Sequence, residues 1–174
     1  KSTSTFKVET IRTGELNNLK GVKPSGALED WKIDELQWKS RLFRDRGILW
    51  HPCLGFFTDH NTFFDKRLNI ALTELLSLDL TFETIQLINE PEGLFNKRCV
   101  GAAKVIKRHN ELAEIVRKEK SSSKIMVSPY YHGDVPCDEK LYKLFTGDRY
   151  GRHIYDYYPL DSLPMYIDIV DEAG

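Results

Sequence analysis

The stretch Thr84-Ile85-Gln86-Leu87-Ile88-Asn89-Glu90-Pro91 decides the fold class. A largely apolar run, readable as a buried strand, ends abruptly in Asn-Glu-Pro. Pro91 has no backbone N–H and cannot continue a strand ladder. Asn89 and Glu90 therefore stand where the chain leaves the sheet. In parallel α/β folds, ligands and catalytic groups collect at the carboxyl ends of strands. An amide and a carboxylate fixed at such a point suit chemistry better than packing.

Downstream, Ala102 to Lys118 is the clearest helix. Ala102, Val105, Ile106, His109, Leu112, Ala113 and Val116 share one face. Arg117, Lys118 and Lys120 then suit the negative end of the helix dipole. Lys124 to Ser128 reads as a strand stopped by Pro129, Asp138 to Phe145 as a short helix, and His153 to Tyr158 as a strand stopped by Pro159. Met165 to Val170 is a last strand, with Asp171 and Glu172 at its end.

Upstream, Leu68 to Leu78 reads as a helix. Ile48 to Trp50 reads as a strand broken at His51-Pro52. Leu28, Trp31, Trp38 and Leu42 recur at helical spacing and predict a helix over Ala27 to Arg44, with Gly47 where a C-terminal cap belongs. Phe6 to Ile11 alternates as a first strand, and Gly14 to Gly26 reads as a loop. Strands and helices thus alternate through a single α/β domain over residues 1–174. The expected fold is a mostly parallel sheet, either open and doubly wound or a partial (β/α) barrel. Right-handed crossovers place most strand ends on one rim.

The chain has 174 residues, enough for one domain with a substantial core. Its 25 basic and 26 acidic residues nearly balance, which gives no net field toward nucleic acid or an anionic membrane. No apolar run approaches the roughly 20 residues that cross a bilayer. Lys1 opens a polar segment unlike a signal peptide, as in a mature form or an excised domain. Cys53, Cys99 and Cys137 are widely spaced and odd in number. Free thiols are expected, which favours a reducing compartment. No ligand spacing points to a metal, and no motif points to a cofactor.

Several strand ends carry polar or aromatic clusters. They are His51-Pro52, Asn89-Glu90-Pro91, Ser128 to His132, Tyr155 to Tyr158, and Asp171-Glu172. On a parallel sheet they face one opening. Two carboxylates there suit acid–base work on a sugar: one protonates the leaving oxygen, and the other attacks or activates water. Tyrosine rings add apolar walls and hydroxyl contacts for a carbohydrate or another polar small ligand.

Asn-Glu-Pro at a strand end resembles the fourth-strand signature of retaining glycoside hydrolases with a (β/α)8 barrel. The resemblance implies that Glu90 is the general acid/base and that Asn89 contacts the sugar beside the scissile bond. The terminal Asp171-Glu172-Ala173-Gly174 resembles the seventh-strand segment that carries the nucleophile, which falls on Glu172. His51 matches a third-strand histidine, and Tyr155 or Tyr157 matches sixth-strand aromatic contacts. A complete barrel of this kind needs about 250 residues, so the chain corresponds to part of one.

A second resemblance leads to an open sheet. Phe82 to Asn89, the long helix and Lys124 to Pro129 look like the middle of an SGNH-type esterase fold. The Gly-Asp-Ser and Asp-x-x-His motifs of that family are missing. This resemblance implies a non-catalytic binding or protein-interaction domain on an SGNH-like or flavodoxin-like sheet. Structural readings stand beside the functional ones. Asn-Glu-Pro-Glu-Gly also reads as a turn, Glu172 as a solvated tail, and His109 as a packed core residue.

Overall fold

The computed structural model describes residues 10–55, 60–89, 91–94, 101–128, 144–156 and 165–172. Six strands form one sheet: β1 (Thr10–Gly14), β2 (Leu49–Cys53), β3 (Thr84–Asn89), β4 (Lys124–Ser128), β5 (Arg149–Asp156) and β6 (Met165–Glu172). The helices are α1 (Asp30–Asp45), α2 (His60–Phe64), α3 (Arg67–Ser77) and α4 (Ala102–Glu119). Short 3-10 turns lie at Asn17–Leu19 and Pro91–Leu94.

Spatial order in the sheet equals sequence order, β1-β2-β3-β4-β5-β6. Neighbours from β1 to β5 are parallel, and β6 returns antiparallel to β5. That order chooses between the two expected arrangements. A doubly wound sheet reverses its direction of growth at a switch point, as in the flavodoxin-like order 2-1-3-4-5. Here growth never reverses. Successive right-handed crossovers keep the helices on one side and shape a segment of barrel wall. The flavodoxin-like and SGNH-like alternatives are therefore set aside.

The core lies between this wall and its helices. All six residues of β3 are buried. Leu36 and Phe43 of α1, Leu68, Leu72 and Leu75 of α3, and Val105, Leu112 and Val116 of α4 pack against it. Trp50 of β2 stands between Phe43 and Phe82, each ring centroid 6.0 Å away. Buried cations close the gaps between helices. Arg108 of α4 donates from Nε to the Phe63 carbonyl at 3.0 Å and from Nη2 to the Asp65 carbonyl at 3.0 Å, which fixes the α2–α3 turn. Arg117 grips Asp148 at 2.6 Å, and Asp148 accepts from the Ile125 amide at 2.7 Å.

Two expectations need correction. The face of α1 is not the one marked by its tryptophans. Trp31 is 49% and Trp38 55% exposed, while Lys32, Leu36, Ser40 and Phe43 face inward. The Ser40 hydroxyl accepts from the Thr81 amide at 2.7 Å, and Lys32 reaches a buried carboxylate, so polar contacts orient this helix as much as apolar ones. β2 does not break at His51-Pro52 but runs through Pro52 to Cys53. The ladder from β2 to β3 has one registered pair, Cys53 with Gln86, so the missing N–H of Pro52 disrupts little. β1 is described from Thr10, and residues 6–9 of the expected first strand lie outside the described residues. Gly47 does follow α1 at φ 65°, in the left-handed region that favours glycine at a helix end. Of the expected helix Asp138 to Phe145, residues 138–143 lie outside the described residues.

His109 is fully buried, with its ring edge-on to Phe145 at 5.1 Å. Asn110 donates to the Leu144 carbonyl and accepts from the Thr146 amide, which leaves its Oδ1 as the atom facing His109 Nδ1 at 3.3 Å. The imidazole therefore carries its proton on Nδ1, and the lone pair of Nε2 is buried without a partner among the described residues. Burial pushes the His109 pKa down to about 4, against the smaller opposing effect of Asn110. The unfolded chain takes up this proton near pH 6.5. Stability is thus full above that pH, falls as pH drops, and has lost about 3 kcal/mol once pH passes below the folded value. Urea unfolding of His109→Leu should remove most of this slope between pH 7 and 4. An unchanged slope would assign the acid sensitivity elsewhere.

Candidate functional site

The rim formed by the carboxyl ends of β1 to β4 collects the described polar groups. Register pairs Arg12 with His51 and Cys53 with Gln86, which in turn pairs with Met126. Side chains alternate along a strand, and paired residues share a face. Arg12, His51, Cys53, Gln86 and Met126 therefore lie on the side away from the helices. Ile85, Leu87 and Val127 take the helix side.

By strict alternation Asn89, three residues after Gln86, belongs on the helix side. It is found on the other. From Gln86 to Asn89 the chain of β3 advances three residues while β4 advances two, Met126 to Ser128. This extra residue is a bulge, which re-aims the side chain that follows it. It brings Asn89 Oδ1 within 3.3 Å of Gln86 Nε2. The Asn89 amide also donates to the Gly55 carbonyl at 3.2 Å, tying the end of β3 to the loop after β2.

A polar chain runs along this side. Arg12 Nη1 donates to Gln86 Oε1 at 3.3 Å, and Gln86 Nε2 donates to the Ile88 carbonyl at 3.1 Å and to Asn89. Gln86 and Asn89 are almost fully buried. His51 is half-buried beside Arg12. Cys53 is free, with its thiol buried and 3.8 Å from the Gly55 carbonyl. Burial pushes its pKa up to about 12, so at neutral pH it is a thiol and a poor nucleophile.

The expected site residues fare unequally. Asn89 and His51 both lie on this rim side. Glu90 and Tyr157 lie outside the described residues. Tyr155 is in β5, paired with Tyr166. Glu172 is in β6, paired with Arg149, the first residue of β5. Because β6 is antiparallel, its carboxyl end lies level with the amino end of β5.

Reading the residues alone missed two charged groups. Half-buried Arg12 is one; it falls between the stretch read as the first strand, Phe6 to Ile11, and the loop read from Gly14. The other is Glu15, whose side chain is wholly buried on the helix side of the rim, between Lys32 at 3.2 Å and Lys39 at 3.0 Å. The spacing of Lys32, Glu35 and Lys39 on one helical face was the available signal. Among the described residues, no cluster of His, Cys, Asp or Glu could hold a metal ion, and no helix is long and apolar enough to cross a membrane.

No protein-family model and no curated protein matches the chain in sequence. Solved structures do match it in fold. The β-1,4-mannanase of the common sea hare Aplysia kurodai aligns with a TM-score of 0.58 at 15% identity, over 78% of this chain and 55% of that one. The β-mannanase of the blue mussel Mytilus edulis aligns at 0.59 and 14%, over 86% and 59%. A β-glucosidase from Thermotoga maritima aligns at 0.51 and 12%, over 78% and 37%. The chain thus shares the α/β barrel-wall fold of these glycosidases. It spans a little more than half the length of the two mannanase chains.

Proposed function

We propose that this chain is a carbohydrate-active domain of glycoside hydrolase type, acting on β-linked sugars such as manno-oligosaccharides. The observation that carries this reading is the bulge in β3. It turns Asn89 onto the face shared with Arg12, His51 and Gln86, one residue before Glu90, at the carboxyl end of a parallel strand. The fold shared with two mannanases supports the choice of substrate. Glu90 is the general acid/base, Asn89 and His51 bind the sugar, and Tyr155 and Tyr157 supply further contacts.

The second carboxylate of the proposal is Glu172, on its Asp-Glu-Ala-Gly context. Its register weighs against it: Glu172 stands level with Gln86, through Met126 and Arg149, but three strands across the sheet from β3. A retaining pair needs carboxyl groups about 5–5.5 Å apart.

Hydrolysis of β-1,4-linked manno-oligosaccharides, followed by proton NMR of the newly released anomer, tests the reading. Retention of configuration is expected. Inversion, or no hydrolysis, overturns it. A 2-deoxy-2-fluoro mannosyl fluoride then traps the nucleophile for peptide mapping. A label on Glu172 sustains the pair; a label on another residue removes Glu172 and leaves Glu90 standing.

A second reading, a non-catalytic binding domain, has one observation in its favour. Trp31 and Trp38 are both about half exposed and lie seven residues apart, which puts them on one face of α1. In the same assay it requires ligand binding without turnover.

A further inference from the structure

We infer that Arg12 and Gln86 are positioning residues that fix the polarity of Asn89, so that the site presents an N–H donor, not a carbonyl oxygen, to its ligand. This rests on the glycosidase reading for the nature of the ligand but not for the hydrogen-bond polarity itself.

The argument uses donor and acceptor chemistry alone. An amide side chain can be turned over without changing its shape, so the identity of its two ends must come from its partners. Arg12 can only donate, because a guanidinium has no acceptor. The atom of Gln86 that faces Arg12 Nη1 at 3.3 Å is therefore its oxygen. The Ile88 carbonyl can only accept, so the atom of Gln86 facing it at 3.1 Å is its nitrogen. Both ends of Gln86 are fixed by groups that cannot change role. The same nitrogen lies 3.3 Å from Asn89, and its second proton requires an acceptor there. Asn89 must turn Oδ1 inward, and Nδ2 is left as its outward end. Among the described residues Nδ2 has no partner.

The specificity follows. An amide N–H₂ selects a group that can accept: a hydroxyl oxygen, a carbonyl or a carboxylate. It rejects a position that can only donate. On a sugar, the hydroxyl next to the scissile bond is held as an acceptor, which leaves its own proton to be donated elsewhere. The bulge makes this possible, since without it Asn89 and Gln86 would occupy opposite faces of β3.

Gln86→Glu inverts the arrangement with little change of volume. Its carboxylate still accepts from Arg12, now as an ion pair, but it offers a proton to neither Asn89 nor the Ile88 carbonyl. Asn89 must then turn Nδ2 inward to donate to it, and Oδ1 faces the ligand. Asn89→Asp is the companion variant. Gln86 still donates to the carboxylate, so the local fold is kept while the outward donor is lost.

Two measurements test the inference. The first is proton exchange of the side-chain amides by ¹⁵N NMR on the free protein, which needs no turnover. The Gln86 amide protons should exchange slowly and those of Asn89 fast. In Gln86→Glu the Asn89 protons should become slow. The second compares binding of methyl β-mannoside with its 2-deoxy and 2-deoxy-2-fluoro forms, since fluorine accepts weakly and cannot donate. The wild-type order should be hydroxyl, fluoro, deoxy. In Gln86→Glu the fluoro sugar should fall to last, and the hydroxyl sugar should bind about tenfold more weakly, the scale of one misdirected hydrogen bond. Asn89→Asp should likewise place fluoro last. Fast exchange at Gln86, or no change at Asn89 in the variant, overturns the inference whatever the activity. Slow Gln86 exchange with no sugar bound by any form sustains the polarity and overturns the carbohydrate reading.

Discussion

Glu90→Gln should lower turnover of a manno-oligosaccharide by about 10²–10⁴-fold, the usual contribution of a positioned general acid. Glutamine keeps the shape of glutamate but carries no transferable proton. The effect should depend on the leaving group. A sugar alcohol leaves as a strongly basic alkoxide unless it is protonated as the bond breaks. A dinitrophenolate is stable as an anion and needs no proton. The deficit should therefore be large for the oligosaccharide and small for the bond-breaking step of a dinitrophenyl mannoside. A nucleophile behaves differently, because every substrate needs the attacking carboxylate. Loss of that group should cost both substrates alike. Equal deficits in Glu90→Gln would take the acid role away from Glu90, and no deficit would remove it from the site.

Glu15→Gln should cost about 3–5 kcal/mol of stability, the range for breaking a buried ion pair from one side. The Glu15 side chain is 0% exposed, Lys32 5% and Lys39 14%. Its other oxygen accepts from the Thr13 hydroxyl, which itself accepts from Trp50 Nε1 at 2.7 Å. With Glu15 neutral, two buried ammonium groups share only Glu35, at 2.9 and 2.7 Å. Burial would raise the pKa of Glu35, but hydrogen bonds from Lys39 and Lys32 outweigh it and hold the carboxyl below its usual range. Burial would lower that of Lys39, but its bonds to Glu35 and Glu15 outweigh it and hold the ammonium above its usual range. The Glu35 contribution is present above the ordinary carboxylate pKa and lost as pH falls through the folded value. That of Lys39 is present below the ordinary lysine pKa and lost as pH rises through its folded value. The cluster is thus intact at neutral pH, where urea unfolding should show the deficit, with a melting point lowered by roughly 6–20 °C. Changing Lys32 and Lys39 to Met alongside Glu15→Gln should recover much of it, since no ammonium is then stranded and Glu35, with its side chain 34% exposed, keeps contact with water. A single-variant loss under about 1 kcal/mol would mean that water reaches the cluster.

How far residues alone disclose this molecule depends on what each element uses to hold itself in place. α4 was legible almost to its last residue, because apolar side chains at helical spacing carry its packing. β4 was read with its observed bounds, and β3 was recognised as buried because its run is largely apolar. α1 was read with the wrong face. Its inward stripe contains Lys32 and Ser40, which a count of apolar residues cannot score. Pro52 was taken as a strand end because the ladder beside it is short in a way that only pairing reveals. At the site, Asn89 was found from its place before a proline. The bulge that turns it, and the Arg12–Gln86 chain that orients it, leave no local mark, since no glycine or special turn residue signals the extra step.

The sequential order of the strands also bears on how the chain is made. No registered pair in the sheet is more than 40 residues apart, a separation reached between β3 and β4, as in Thr84 with Lys124. A ribosome adding about 5–20 residues per second delivers each strand at most roughly 2–8 s after the one it must join. Every parallel strand finds its neighbour already synthesised and waiting, so the wall can assemble in the direction of translation, with each new unit templated on the last.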